Sequence, residues 1–466
     1  MNILPLKTWH TIPLKTWQHL GLLQSISPTL SRTNLRRLSR IIKTLLAMTG
    51  RVTLLGISRW TGKGGSYRTV QRFFAEQIPW AQLYWQFFVS QLYQSEREYL
   101  LGGDECVVTK SGKKTYGLDR FFSGLLNQVV PSIAIFALSL IDVKERRSYP
   151  IQMEQVVRSE AEKAATKAKK QKRKAKQKAK VKGKPGRPKG SKNRDKTQVE
   201  LTPELQRIQK MVKRQLAIFQ GVLSITYLVL DGHFGNNNAL QMVRQCGLHL
   251  ISKLRCDAAL HFVYQGSYAG KGPPKKYGDK INYAKLPNKY LVATKTDKKI
   301  ETRIFQAQML HHEFAQRLNV VIIHKTNIKT GACAHVILFS SNLELSYDKI
   351  VDYYRLRFQL EFNFRDAKQH WGLEDWMNIK EVPLTNALNL SLFMVNVSQV
   401  LLAEFRKTNA ESSVLDLKAY CRAARYFEEF IKILPEKPEP ILFEQVFGKI
   451  VSLGCIHPVN LQVFPP

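Results

Sequence analysis

Four residues between 354 and 368 have the types and spacing to work on phosphate esters. Tyr354, Arg357, Glu361 and Lys368 are separated by three, four and seven positions. At about 100° per residue of helix they fall within roughly 60° of one another, with Arg365 beside them. Leu356, Leu360 and Phe364 flank this stripe on one side, and Phe358 and Phe362 flank it on the other. A charged stripe between two apolar flanks is the reverse of a solvated helix face, which shows a wide polar arc opposite one apolar stripe. One carboxylate among cations and a tyrosine suits a metal centre that also grips phosphate. A buried ion-pair ladder of Glu361 with Arg357 and Arg365 would use the same spacing. Asp352 and Asp366 point off the stripe.

Two more carboxylates stand where a sheet could present them. Asp231 ends a short apolar strand, ITYLVL, and is followed by GHFGNN. Ligand sites in α/β sheets favour strand C-termini, although an Asp before Gly is also a common turn device. Asp104 lies within the apolar strand Tyr99–Val108, where a carboxylate needs a partner. Lys110, Lys113 and Lys114 follow it.

The elements around these residues fall into blocks. Residues 1–97 read as helical, with an amphipathic helix at Arg36–Ala47. The Gly-rich turn TGKGGS precedes a helix Tyr67–Ala75 that exposes Arg68, Gln71 and Arg72. That order suits a helix-turn-helix DNA reader and equally a helical packing module. PLKTW occurs twice, at Pro5–Trp9 and Pro13–Trp17, with no function attached. Strands are expected at Tyr99–Val108, Ser132–Val143, Tyr149–Val157 and Ile225–Leu230, with a helix at Glu204–Leu223. Residues 260–340 are strand-like and turn-rich. One long helix is expected at Ser346–His370, then helices over 382–435 and a loop-rich tail.

Charge points to a polyanion. Lys and Arg number 72 against 36 acids, a net charge of +36, which speaks to partners rather than fold. The run Lys163–Lys196 alone carries 17 cations against the single acid Asp195. Its first part, rich in Ala, Lys and Gln, could form a solvated helix; its second part contains Pro and Gly, and a disordered or extended basic insert is expected over 160–200. Pro185-Gly186-Arg187-Pro188-Lys189-Gly190 resembles an AT-hook, which lays Arg along a narrow minor groove. A solvated linker is the plainer reading. The longest apolar stretch is read at 131–143, shorter than the ~20 residues that span a bilayer, and no secretory signal is read at the N-terminus. The six cysteines form no CxxC pair. That fits a reducing cytoplasm better than a zinc ribbon or disulfide framework.

Taken in order, Asp104, Asp231 and the Glu361 of Tyr354-x2-Arg357-x3-Glu361-x6-Lys368 resemble the DDE transposases of bacterial insertion sequences that carry the YREK signature. The segments DECVVTKSGKKTYG and LVLDGHFGN resemble that group's first two acidic motifs. The resemblance runs from about Leu100 to Trp376, the basic run excepted. It implies an α/β, RNase H-like mixed-sheet core at 98–259 and 341–381, with a β-rich insertion domain at 260–340. Helical regions at 1–97 and 382–466 flank it, for end recognition and assembly. It further implies Asp104, Asp231 and Glu361 as ligands of two Mg2+, with Mn2+ able to substitute. Tyr354, Arg357, Arg365 and Lys368 become contacts to DNA, beside Arg68, Arg72, Arg187 and Lys189 elsewhere. The implied activity is cut-and-paste transposition in the bacterial cytoplasm. Its partners are double-stranded DNA, as terminal inverted repeats and target, and a second protomer on that DNA; no membrane is implied. A regulatory DNA-binding protein without activity and another RNase H-like nuclease are the alternatives. An intact acidic triad argues against the first, and the YREK stripe against the second.

Overall fold

The computed structural model describes residues 19–457 apart from 63, 125, 166, 169–170, 172–194, 269, 271, 408–409 and 436–438. The PLKTW duplication and the AT-hook-like segment with Arg187 and Lys189 lie outside the described residues. Four helices come first: α1 (Arg32–Ala47), α2 (Leu54–Thr61), α3 (Tyr67–Ala75) and α4 (Trp80–Gln91). Ser31, Thr53 and Ser66 cap the first three by accepting backbone N–H groups, which satisfies donors that a helix start leaves open. Next come β1 (Tyr99–Thr109), β2 (Asp119–Ser123), β3 (Gln128–Asp142), β4 (Arg147–Val156), α5 (Pro203–Phe219), β5 (Tyr227–Val229), α6 (Asn237–Arg244) and β6 (His249–Leu254). The strands β7 (Leu260–Val263), β8 (Tyr277–Lys280), β9 (Leu291–Asp297), β10 (Ile300–His311), β11 (Leu318–Asn327) and β12 (Cys333–Ser340) follow. Five helices end the described chain: α7 (Tyr347–Leu356), α8 (Gln359–Trp371), α9 (Glu381–Phe405), α10 (Val414–Ile433) and α11 (Pro440–Ser452).

Among the described residues all the strands join one 12-stranded mixed sheet. Its order is β2-β3-β1-β5-β6-β12-β11-β10-β7-β8, with β4 also on β3 and β9 on β10. β1, β5 and β6 are parallel, β3 runs antiparallel to β1, and β4 runs antiparallel to β3. This mixed α/β sheet with helical flanks is the architecture of an RNase H-like core. The strands of 260–340 extend it without a seam, because β12 pairs antiparallel with β6 from Ser340↔Ile251 to Ile337↔Leu254. β3 is buried without interruption from Ser132 to Asp142. Both faces are covered there, which is why its sequence is a continuous apolar run rather than an alternation. On one face lie α5 and α6, with Leu101, Phe136 and Leu228 packed against Ile208, Met211 and Leu240. On the other lie α7 and α8, with Leu100, Ile141 and Val229 against Ile350, Leu356 and Leu360.

Three expectations change. The helix expected at 346–370 is broken at Arg357–Phe358, where the bonds Phe358 N→Arg355 O, Leu360 N→Arg357 O and Glu361 N→Phe358 O are of the tighter three-residue kind. The tail is not all loop, since α11 packs Phe447 and Val451 against Ala424 and Phe427 of α10. The longest apolar element is α9 rather than the 131–143 run. It is long and apolar enough to cross a membrane, yet 67% of its most apolar window is buried inside the protein. Several of its polar groups are matched to that setting: Asn386 bonds Trp80 and the Phe74 carbonyl, the Asn396 amide donates to the Pro150 carbonyl, and Ser391 bonds Trp376 and the Trp371 carbonyl. A helix apolar all round is a core helix in such surroundings. The N-terminal helices share this core, with Phe73, Phe74 and Tyr84 beside Trp371, Trp376 and Phe393.

α10 ties the ends of two other helices together. Lys418 donates to the Leu45 carbonyl at the end of α1 and to the His370 carbonyl at the end of α8, both at 3.0 Å. These carbonyls have no partner within their own helices. Burial pushes the Lys418 ammonium down to about 8 from its ordinary 10.5. The folded state therefore holds this proton less tightly than the unfolded chain, and stability rises with pH between about 8 and 10.5. Relative to Lys418→Met, the wild type should gain on the order of 2 kcal/mol across that window. Urea unfolding of both proteins at several pH values measures this, and a difference that stays flat from pH 7.5 to 10 contradicts it.

Candidate active site

Alternation along β1 sends Asp104 to the α8 face and Glu105 to the α5 face. The parallel register Gly102↔Val229 places Asp104, two residues further along β1, beside Asp231, two residues past the end of β5. Small residues make the approach close. A Cβ on Gly102 would lie 2.9 Å from Leu360 Cδ1 and 2.7 Å from Ile141 Cδ1, and one on Gly103 would lie 2.7 Å from Phe136 Cζ. Gly102 thus lets α8 settle onto β1 beside Asp104. Asp231 caps the turn Gly232–Phe234 by accepting the His233 N–H at 3.1 Å, while Ser252 donates to its carbonyl at 2.7 Å.

Arg357 joins the first acid to the third. Its Nη1 donates to Asp104 Oδ2 at 2.5 Å and its Nη2 to Glu361 Oε1 at 3.0 Å. Its Nε is buried with no hydrogen-bond partner among the described residues. The Arg357 and Asp104 side chains are only 14% and 16% exposed, while Glu361 is 43% exposed. Burial raises the Asp104 carboxyl to about 6; Arg357 pulls it back down, and Asp231 and Glu361 push it up. Asp104 therefore senses the charge of both other acids. Tyr354 belongs to the same group: burial raises its hydroxyl above the usual range, Arg357 opposes this, and Asp231 and Asp104 add to it.

Not all of the stripe converges. Lys368 turns to Glu374 Oε1 at 2.8 Å and the Val107 carbonyl at 3.3 Å, one strand residue beyond Cys106. Arg365 pairs with its neighbour Asp366 at 3.0 Å and lies 4.6 Å over the Phe362 ring, so it does not enter the ladder with Glu361. Phe358 is 49% exposed and meets Phe362 edge-on. The stripe is thus enclosed by apolar residues on one side only, because the tightened turn at 357–358 swings this second flank outward. Asp352 pairs with Arg146 at 2.8 Å, off the stripe.

Arg68, Gln71 and Arg72 stand exposed on α3, whose Val70, Phe73 and Phe74 are buried. The turn before α3 is fixed by Arg40, which donates to the Gly64 carbonyl at 2.7 Å. No contact among the described residues joins this helix to the acids. On the α5 side of β1, sequence reasoning missed Glu105 and the pair His233–Glu204 at 3.4 Å. His233 is raised first by its bond to Glu204, and Asp231 and Glu105 add to this. The signal was the adjacency of Asp104 to Glu105, which alternation must send to opposite faces. Lys110 also found unforeseen partners, the Glu374 and Trp376 carbonyls.

The donors suit a hard divalent cation. Three carboxylates without sulfur or imidazole are the oxygen set such ions take, and the buried Asp104, with two acidic neighbours, has Arg357 as its ion-pair partner. Among the described residues no three His, Cys, Asp or Glu side chains close into a cage, and the Arg357 guanidinium bonds both Asp104 and Glu361.

A family model described as DDE superfamily endonuclease matches residues 25–317. The chain belongs to this family. The match holds Asp104 and Asp231 and ends before Glu361. No curated protein matches the chain. Membership makes this DDE endonuclease a nucleic-acid-cleaving enzyme with DNA as its substrate, in a family that generally uses divalent metals.

Proposed function

We propose that this endonuclease is the transposase of a bacterial insertion sequence, cutting DNA at the ends of its element and joining them to a target. The observation that carries the reading is the Arg357 bridge, which gathers Asp104 and Glu361, 257 positions apart in sequence, beside Asp231. In this reading the three acids hold two Mg2+, or Mn2+ in their place. Such ions, when bound, activate the attacking water or 3′-hydroxyl and stabilise the leaving oxygen of an in-line displacement. Arg357 and Tyr354, next to the acids, grip phosphate oxygens at the cleaved end and orient it. Lys368 and Arg365, further along α8, serve the flanking backbone. α3 presents Arg68 and Arg72 to the terminal inverted repeats. Two ends cut together call for two protomers on DNA, and the exposed Tyr426, Phe430 and Ile433 of α10 support placing that contact within 382–466. The enzyme works in the bacterial cytoplasm, on the nucleoid.

The test is excision of a marked element, flanked by the gene's native DNA, from a supercoiled plasmid in Mg2+. Release of the element supports the reading. Specific binding without cutting in Mg2+ or Mn2+ overturns it in favour of a regulatory DNA-binding protein.

The basic run has its own test. Deleting Lys163–Lys196 should weaken DNA binding and flatten its salt dependence by about 0.9 in log–log slope for each phosphate the run neutralises. Fluorescence anisotropy across a salt series measures it, and an unchanged slope ends the assignment.

A further inference from the structure

We propose that Arg357 is an internal counter-ion that holds divalent metal out of the site until a DNA phosphate draws the guanidinium away, so that metal loading and DNA binding are coupled. The proposal rests on the reading of Asp104, Asp231 and Glu361 as metal ligands. Arg357 occupies one oxygen on each of two of those acids, Asp104 Oδ2 at 2.5 Å and Glu361 Oε1 at 3.0 Å. A divalent ion seated on the same oxygens would stand against a fixed positive charge. The guanidinium cannot simply leave, since stranding a largely buried cation without a counter-charge is strongly disfavoured. A phosphate diester is the partner that can take it, as an anion that accepts the same fork of N–H donors. The backbone suits such a change of partner. Arg357 sits where the α7 and α8 hydrogen-bond ladders are interrupted, and its Nε is a buried donor still without a partner among the described residues. Coupling between two ligands is reciprocal, so bound metal would tighten DNA by the factor by which DNA tightens metal.

The experiment is Mn2+ binding to the full chain, followed by electron paramagnetic resonance. Without DNA, Arg357→Gln should bind Mn2+ about tenfold or more tighter than wild type. Arg357→Lys, with one ammonium that cannot fork across both acids, should fall between. A duplex carrying the inverted repeat that flanks the gene should tighten Mn2+ on wild type by a similar factor and leave Arg357→Gln unchanged. Equal Mn2+ affinity in wild type and Arg357→Gln, or a wild type indifferent to the duplex, overturns the proposal. Should Arg357→Gln unfold, the Lys variant and the duplex arm decide it in the same way. Asp104→Asn separates the two levels. Mn2+ binding that ignores Asp104→Asn overturns the ligand assignment itself, whereas binding that needs Asp104 and ignores Arg357 overturns the coupling alone.

Discussion

Glu361→Gln is expected to lower strand cleavage by about a thousandfold or more while leaving DNA binding within about threefold. The substitution keeps the shape of a side chain that is 43% exposed and leaves an amide oxygen that can still accept from Arg357, so the fold should stand. What it removes is the charge that holds a divalent ion. Asp104→Asn should lose as much cleavage, with more disturbance, because it takes the buried counter-charge from Arg357. Plasmid excision and gel-shift titration, run side by side on matched proteins, give both numbers. Cleavage by Glu361→Gln at the wild-type rate would remove Glu361 from the site.

The second large effect is expected at Gly235. Its backbone, at φ −74° and ψ 50°, suits any L-residue, so conformational freedom is not the reason for a glycine. A Cβ there would lie 2.1 Å from the Lys253 carbonyl oxygen. That atom belongs to the backbone of β6 and cannot rotate aside. Gly235→Ala must therefore push the turn after Asp231 off the sheet, at a cost of about 2–4 kcal/mol, and carry Asp231 with it. Gly232→Ala is the control, since its nearest neighbour would be the same Lys253 carbonyl at an ordinary 3.6 Å. Urea unfolding should separate the two variants clearly. Equal midpoints would show that the turn yields without strain.

Much of this site was legible because its signals are local. The unbroken apolar run of β3 follows from burial on both faces. Asp104 within an apolar strand had to have a partner. The spacing of Tyr354, Arg357 and Glu361 placed the three together. Other features depend on distant parts of the chain. Nothing near Arg357 names Asp104, 253 positions away, as its acceptor. Neither Gly nor Pro marks the break at Arg357–Phe358, where both residues keep helical angles and only the bonding pattern tightens. A helical wheel drawn through that step therefore misplaced Phe358. Arg365 left the stripe because Asp366, next to it in sequence, competes for it, a choice that periodicity does not weigh. The joining of 260–340 to the main sheet rests on the β12–β6 pairing, which no short-range pattern encodes. β2 has five residues with alternating burial, too little signal beside the run of β3. α11 was legible and overlooked, since Pro440 opens it at the first helical turn, where proline is favoured.

The central claim is that Asp104, Asp231 and Glu361 hold divalent metal for DNA cleavage. Changing each in turn to Cys and assaying plasmid excision in Mg2+ and then in Mn2+ tests it most directly, because a thiolate binds the softer Mn2+ better than Mg2+. The account predicts that all three variants are inactive in Mg2+ and that at least Asp231→Cys, whose carboxylate makes no ion pair with Arg357 among the described residues, recovers cleavage in Mn2+. A cysteine variant that cuts in Mg2+ as fast as wild type would contradict it at that position.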